Sequence, residues 1–459
     1  MDIKTKIKPF NADTFSPVGI YLGLRDHYRK PCLLESNSFY DRSNSKSLIG
    51  LNPLAEISLD ADQVKLSIKG KETEIFKLNS GNFQSQISEL IQGFTFKNLH
   101  FTNGFFTYSS FELSHLLEKK VQTKKDKNEL PLMHLILFQY IIVLDHFKDE
   151  GEIVENTFDE FSDDFDDILH KINFRSYPDF PFDTVGEEQF EVDENTFMEN
   201  VDKGKKHCIR GDVFQLVLSR RFKQAFSGED FEVYRQLRRT NPSPYLFYFD
   251  FETHRLFGSS PEAQLVIHDG KAEIHPIAGT VKKSGNTIED EEQTQFLIHD
   301  EKENAEHMML VDLARNDLSK HCSEVKIDRL KEVQQFSHVI HLVSKITGKQ
   351  DNSSHLDLYL DTFPAGTLSG TPKPKALELI ADYEPYARGF YGGGIGFIGA
   401  HGDLNMAIII RSMLSKNNVL HYQAGAGIVL DSIRESELKE VDNKLNALRT
   451  AIKLCKTNQ

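Results

Sequence analysis

The chain has 459 residues, 39% of them hydrophobic, enough to bury a large core as one interwoven domain or two ordinary ones. Its formal charge of −15, with no long basic run, excludes a nucleic-acid scaffold and fits a soluble enzyme that gathers positive charge only in its site. Cys32, Cys208, Cys322 and Cys455 are scattered with no CxxC pair, which disfavours a disulfide framework or a zinc site and suits buried free thiols.

Residues 1–10 mix Lys with polar residues and lack the apolar stretch of a secretory signal, so a cytoplasmic location is expected. Residues 119–129 and the acidic stretch 149–167 read as exposed connections. The apolar run 130–144, broken by His134 and Gln139, is too short for a bilayer and reads as a buried strand or helix, so no membrane partner is expected. From residue 245 short β-rich runs alternate with turns (245–250, 255–258, 264–268 and 271–274), a hairpin pattern. A helical pattern covers 292–317 and another 373–381. Strands at 390–399, 404–414 and 419–424 are joined at His401-Gly402-Asp403 and Asn417-Asn418, as in an antiparallel meander, and a helix follows over 435–454. The expected fold is α+β, with antiparallel β-sheets flanked by helices. Gly394-Ile-Gly-Phe-Ile-Gly399 matches GxGxxG, but a turn and a strand follow it instead of a helix, so dinucleotide binding is rejected.

Two acidic motifs carry the first chemical signal. Glu303 and Glu306, and Glu437 and Glu440, are three apart, so each pair shares a helix face, and Lys444 extends the second by one turn. In the last helix Leu438, Val441, Leu445, Leu448 and Ile452 form the apolar stripe, and Glu437, Glu440 and Lys444 border it. Four convergent carboxylates at the edge of a core repel unless a cation joins them, and an all-oxygen set suits Mg²⁺ better than zinc. Either motif alone is also what an ordinary charged helix face looks like.

Small-residue turns accompany them: His275-Pro-Ile-Ala-Gly-Thr280, the run from Phe363 to Lys373, Arg388-Gly-Phe-Tyr-Gly392 and Gln423-Ala-Gly-Ala-Gly427. Glycine lets a ligand approach the backbone and leaves N–H groups for an anion, and Arg411 is a planar fork suited to a carboxylate. With Mg²⁺ the set fits a small dicarboxylate.

These blocks, with Ser259-Ser-Pro-Glu262 and the segment from Asp300 to Asp317, resemble the chorismate-utilising enzymes, densely over about 195–455 and more thinly before. The resemblance implies a sandwich-like core of antiparallel sheets. It implies a catalytic region at 191–456 interwoven with an N-terminal region, 1–190. It puts Mg²⁺ on Glu306 and Glu440, supported by Glu303 and Glu437. Chorismate contacts fall on Gly279, Thr280, Thr367, Tyr391, Arg411, Gly425, Ala426, Gly427 and Lys444. Gln215 stands where the isochorismate- and salicylate-forming members place a Lys base; a neutral amide cannot abstract a proton, and the aminating members carry Gln. Ala278 stands where the members that aminate C4 typically have Lys, which points to the anthranilate synthase large subunits, aminating C2. Leu33-Leu-Glu35-Ser36 and Asn241-Pro242-Ser243-Pro244-Tyr245-Leu246 resemble the two halves of their tryptophan feedback site, although Asn-Pro-Ser-Pro alone is only a rigid turn. Arg434 replaces a common Pro and Ser319 a common Gly, both away from the implied contacts.

Glu262 is then the acid that protonates the departing C4 hydroxyl, and His341 the candidate assistant for pyruvate loss; a lone His is more often a packed core residue. The resemblance implies ammonia from a separate glutamine amidotransferase subunit, in an assembly with two copies of each chain. The alternatives are an aminodeoxychorismate or isochorismate synthase and, from another class, an inactive tryptophan-sensing partner protein.

Overall fold

The computed structural model describes residues 1–36, 45–118, 121, 124, 126–174, 180–335, 339–351 and 354–456. Strands Lys46–Leu59 and Met133–Asp145 run antiparallel along their whole length, from Lys46 opposite Asp145 to Leu59 opposite Met133. The second is the apolar run of the sequence, a strand because both of its faces are buried. A register shift between Pro53 and Ala55 falls where proline has no N–H to give the ladder. Beyond it the neighbours change, so the two long strands belong to two sheets.

In the first sheet Cys32–Ser36 pairs with the Lys46 end, followed by Tyr245–Asp250, Arg255–Ser260, Ser412–Lys416, Val419–Ile428 and Gln215–Gly228. In the second, Gly104–Ser109 pairs with the Met133 end, followed by Gly394–Gly399, Leu404–Ile408, Ala263–His268, Lys271–Ile274 and Val339–Gln350. Ile277–Lys282 and Cys322–Gln335 flank that last strand on its two edges. All these pairings are antiparallel.

Alternation of side chains sorts the apolar residues into layers. Phe247, Phe249, Ile136, Phe138, Ile395 and Ala407 form the core between the sheets. Tyr248 and Leu218 face the other way, onto helices Glu194–Arg210, Phe231–Thr240 and Arg434–Lys456 through Val201, Tyr234 and Val441. Leu135, Leu137 and Leu265 face helices Glu301–Leu318 and His355–Thr362 through Val311 and Tyr359. The sandwich flanked by helices is thus as expected.

Three local expectations are corrected. The stretch 149–167 contains strand Glu150–Thr157, in which Glu155 and Asn156 are fully buried. Ser162 N–H donates to one Glu155 oxygen (2.8 Å), the other being buried without a protein partner, and Asn156 bonds Thr5 and Asn103. The expected helix over 292–317 is two, Thr287–His299 and Glu301–Leu318, divided at Asp300, whose side chain accepts the Glu303 N–H. The expected strand 404–414 is also two, with the break just before Ser412. No helix among the described residues is long and apolar enough to cross a membrane.

Candidate active site

Two connections cross between the sheets side by side, and each carries a site residue. Glu262 lies between Arg255–Ser260 of the first sheet and Ala263–His268 of the second; Arg411 lies between Leu404–Ile408 of the second and Ser412–Lys416 of the first. Backbone bonds clasp them: Ser259 N–H donates to the Arg411 carbonyl (3.1 Å) and Ile408 N–H to the Glu262 carbonyl (3.0 Å). The Ser260 hydroxyl donates to the Ile408 carbonyl (2.6 Å). Arg411 has φ +50°, a left-handed conformation unusual outside glycine and concentrated at functional sites.

Burial raises the Glu262 carboxyl to about 7, against the opposing pull of the Thr367 hydroxyl, which donates to it (3.0 Å), and of the Lys444 and Arg411 charges. Burial likewise lowers the Arg411 guanidinium, partly offset by Glu262. The site therefore pairs a carboxyl able to hold a proton near neutrality with a desolvated cation.

Gln215 begins a strand whose register sets Val217 opposite Gly427 and Ser219 opposite Gly425. Gly425 and Gly427 share a face. A Cβ on Gly425 would stand 2.7 Å from the Leu218 carbonyl oxygen and 3.0 Å from the Tyr391 hydroxyl, and one on Gly427 would stand 2.6 Å from Gln215 Nε2. Ala426 points the opposite way into the helix-facing core, so it offers the site backbone only. Tyr391 is buried, which raises its hydroxyl above the ordinary value, and Gln215 Oε1 is buried without a protein partner. Lys444 donates to the Gly425 carbonyl (2.9 Å) and pairs with Glu440 (2.6 Å).

Beneath these groups Arg388 fixes the pieces in register. It is fully buried, paired with Glu384 (2.6 Å), and donates to the carbonyls of Leu368 (2.6 Å), next to Thr367, and Val217 (2.8 Å), two residues from Gln215. Glu384 in turn accepts the Ser219 N–H (2.8 Å) and hydroxyl (2.7 Å).

Glu303 and Glu306 lie on helix Glu301–Leu318, which packs on strands Ile277–Lys282 and Val339–Gln350; Glu437 and Glu440 lie on Arg434–Lys456, which packs on Val419–Ile428. Glu437 is buried and Glu440 about half exposed. No three of these four carboxylates approach within 4.8 Å of one another. Among the described residues the only such group is His268, Asp269 and Asp403, at an exposed turn. Gly279 falls at a register shift in Ile277–Lys282, and Thr280 stands opposite the buried His341; the side chains of residues 279 and 280 lie outside those described.

The Leu-Leu-Glu-Ser and Asn-Pro-Ser-Pro-Tyr segments meet as neighbouring strands, with Tyr245 opposite Ser36 and Leu246 opposite Glu35. Glu35 is buried, gripped by both prongs of Arg238 (2.8 and 2.7 Å) and by the Tyr234 hydroxyl (2.6 Å). Ser243 is buried, flanked by Pro242 and Pro244, and Asn241 Nδ2 is buried without a protein partner. The Ser259 hydroxyl donates to the Asn241 carbonyl, so one residue touches this region and Arg411.

Sequence reasoning missed Arg388 and Glu384 as the site's support, and Gln264 beside it.

Residues 31–450 match the chorismate binding enzyme family, and the chain belongs to it. Within that class it is 33% identical to anthranilate synthase component 1 of Bacillus subtilis (97% of this chain, 91% of the relative). It is 32% identical to the protein of that name from Aquifex aeolicus (98% and 94%). The crystal structure of anthranilate synthase component I from Streptococcus pneumoniae superposes with TM-score 0.79 at 30% identity, over 95% of this chain and 98% of that one. The Escherichia coli isochorismate synthase MenF, at 19% identity and TM-score 0.76 (98% of this chain, 94% of that one), shares the fold.

Proposed function

We propose that this chain is an anthranilate synthase large subunit, adding ammonia to C2 of chorismate and then eliminating pyruvate, the committed step of tryptophan formation, in the cytoplasm. The observation that carries the reading is the pair Gln215 and Glu262. The residue over the Gly427 backbone is a neutral amide that cannot activate water, whereas ammonia needs no base for its attack. Glu262 holds a proton to about 7 and gives it to the C4 hydroxyl, which leaves as water. Arg411 binds a substrate carboxylate through its planar fork, the Gly425 and Gly427 backbone admits the ring closely, and Tyr391 and Thr367 border it. His341, opposite Thr280, is the candidate to assist the later loss of pyruvate. An inactive tryptophan sensor would have no use for a proton-holding Glu262.

An all-carboxylate donor set fits Mg²⁺, and Glu306 and Glu440 would hold it with Glu303 and Glu437 alongside. Bound there, the ion would neutralise and orient a substrate carboxylate. Ammonia comes from a glutamine amidotransferase subunit, component II, in an assembly of two copies of each chain, and tryptophan binds between Ser36 and the Asn241–Leu246 segment to inhibit.

The test is the product made by the purified chain from chorismate, Mg²⁺ and ammonium. Anthranilate and pyruvate are expected, abolished by chelator and restored by Mg²⁺, with glutamine inert until the partner subunit is added. Isochorismate or a C4-aminated product overturns the assignment, and full activity in chelator overturns the metal.

A further inference from the structure

Strand Ala263–His268 carries a bulge: Ala263 opposes Ala407 and Leu265 opposes Met406, so Gln264 is the extra residue. Bulges beside active sites commonly re-aim a side chain. Here the bulge puts Gln264 into the wall of a cavity of about 40 Å³ that Glu262 and Thr367 also line. Gln264 is 4% exposed, and neither its Oε1 nor its Nε2 has a protein partner. The buried Tyr359 hydroxyl, beside Ser109, lies close by. The close backbone approach of Gly394 packs both groups in place: a Cβ there would stand 3.0 Å from Gln264 Oε1 and collide with the Tyr359 oxygen. Buried amides normally satisfy both ends; the cavity wall is largely apolar, but Glu262, Gln264, Thr367, His275 and Asp317 supply polar partners in it, and its volume has room for about three or four waters at ~10–15 Å³ each.

Arg411 and Lys444, the cations that act on Glu262, do not line this cavity. Of the groups given a part in the reaction above, Glu262 and Thr367 line it. The other titratable groups in its wall are His275, beside Glu273 (3.3 Å), and Asp317, paired with Lys373 (2.7 Å).

We propose that Gln264 is a positioning residue that holds water against the Glu262 carboxyl, and that this water returns to Glu262 the proton spent in each turnover. This rests on the acid role given to Glu262 above. The balance closes without another reactant. Ammonia bonds to C2 and the resulting ammonium group releases one proton, while Glu262 gives one proton to the C4 oxygen as the C4–O bond breaks and water departs. The water held by Gln264 carries the equivalent proton back to the Glu262 carboxylate.

The test compares Gln264→Met, of similar length and apolar, with Gln264→Glu, which keeps a polar end. With ammonium as donor, Gln264→Met should lose at least tenfold in kcat with KM for chorismate within twofold, and its solvent isotope effect on kcat should rise. Gln264→Glu should keep a third or more of wild-type kcat. A crystal structure of the wild type should show water bonded to Gln264 and Glu262, and that of Gln264→Met should not. Equal impairment of the two variants marks Gln264 as a packing residue and overturns the proposal, as does a dry cavity in the wild type or a wild-type kcat in Gln264→Met. If the wild type makes no anthranilate the proposed function fails, and the crystal structures still decide whether Gln264 holds water on Glu262.

Discussion

The Gln215 side-chain nitrogen lies 2.6 Å from the point where a Cβ on residue 427 would stand, so only glycine lets the amide rest on that backbone. The obstacle is the end of a flexible side chain. Gly427→Ala should therefore fold, displace the amide and lower kcat by at least tenfold. Gly425→Ala meets the fixed Leu218 carbonyl at 2.7 Å and should cost about 1–3 kcal/mol of stability, as overpacking does. Steady-state kinetics and thermal unfolding of both variants check this; wild-type turnover in Gly427→Ala would detach Gln215 from the reaction.

Glu262 makes a prediction with two signs. Its acid form is lost as pH rises through about 7, so turnover per unit of free ammonia should fall across that pH, and Glu262→Gln should lose roughly 10²–10⁴-fold below it, the gap narrowing above. For stability, the folded carboxyl at about 7 keeps a proton that the unfolded chain loses near 4.5, so the unfolded state binds fewer protons between these values and stability falls as pH rises through them. Above that window Glu262→Gln should be the more stable protein by roughly 3 kcal/mol, since each tenfold difference in proton affinity between the folded and unfolded chain is worth ~1.4 kcal/mol. Denaturant unfolding at pH 4 and pH 8 measures it; a variant equally stable or weaker at pH 8 would contradict the burial argument.

The Arg388–Glu384 pair should dominate the stability of the site's floor. Both side chains are buried, and between them they hold Leu368, Val217 and Ser219. Glu384→Ala leaves a buried guanidinium uncompensated and should cost about 3–5 kcal/mol, far more than an exposed i,i+4 pair. A loss under about 1 kcal/mol in denaturant titration would show that water reaches Arg388.

Much of this was legible in the chain, and the gaps have physical causes. The apolar runs that became Tyr245–Asp250 and Met133–Asp145 report burial on both faces, and burial is what the sandwich imposes. The run from residue 404 to 414 is apolar throughout most of its length, and such a pattern carries no mark of a strand leaving one sheet for another. The break is set by the clasp between Ser259 and Arg411, a tertiary contact. Asp300 with Glu303 spells a helix start, D-x-x-E, that lay unused inside a helical pattern. Arg388 entered only as the start of a small-residue turn, and Glu384 was passed over because i,i+4 spacing says nothing of depth. Gln264 was hidden because a bulge is a property of two strands, of which a sequence window holds one.

The final prediction concerns feedback. Ser36 and Tyr245 are paired across neighbouring strands on one face of the sheet, and Glu35 and Leu246 on the other, so the two segments proposed to hold tryptophan adjoin. The second of them touches the substrate region through Ser259, whose hydroxyl donates to Asn241 and whose N–H donates to Arg411. Tryptophan should weaken chorismate binding, and chorismate should weaken tryptophan binding by the same factor, about 5–150-fold for the usual ~1–3 kcal/mol of coupling. Ser36→Arg should lose inhibition by filling the proposed site. Ser259→Ala keeps the backbone bond to Arg411 but frees Asn241, so it should still bind tryptophan while showing a smaller factor. Titrating tryptophan with and without chorismate, by calorimetry and by inhibition of anthranilate formation, separates the two. Undiminished inhibition in Ser36→Arg would place the feedback site elsewhere, and an unchanged factor in Ser259→Ala would mean that the two sites communicate by another route than this clasp.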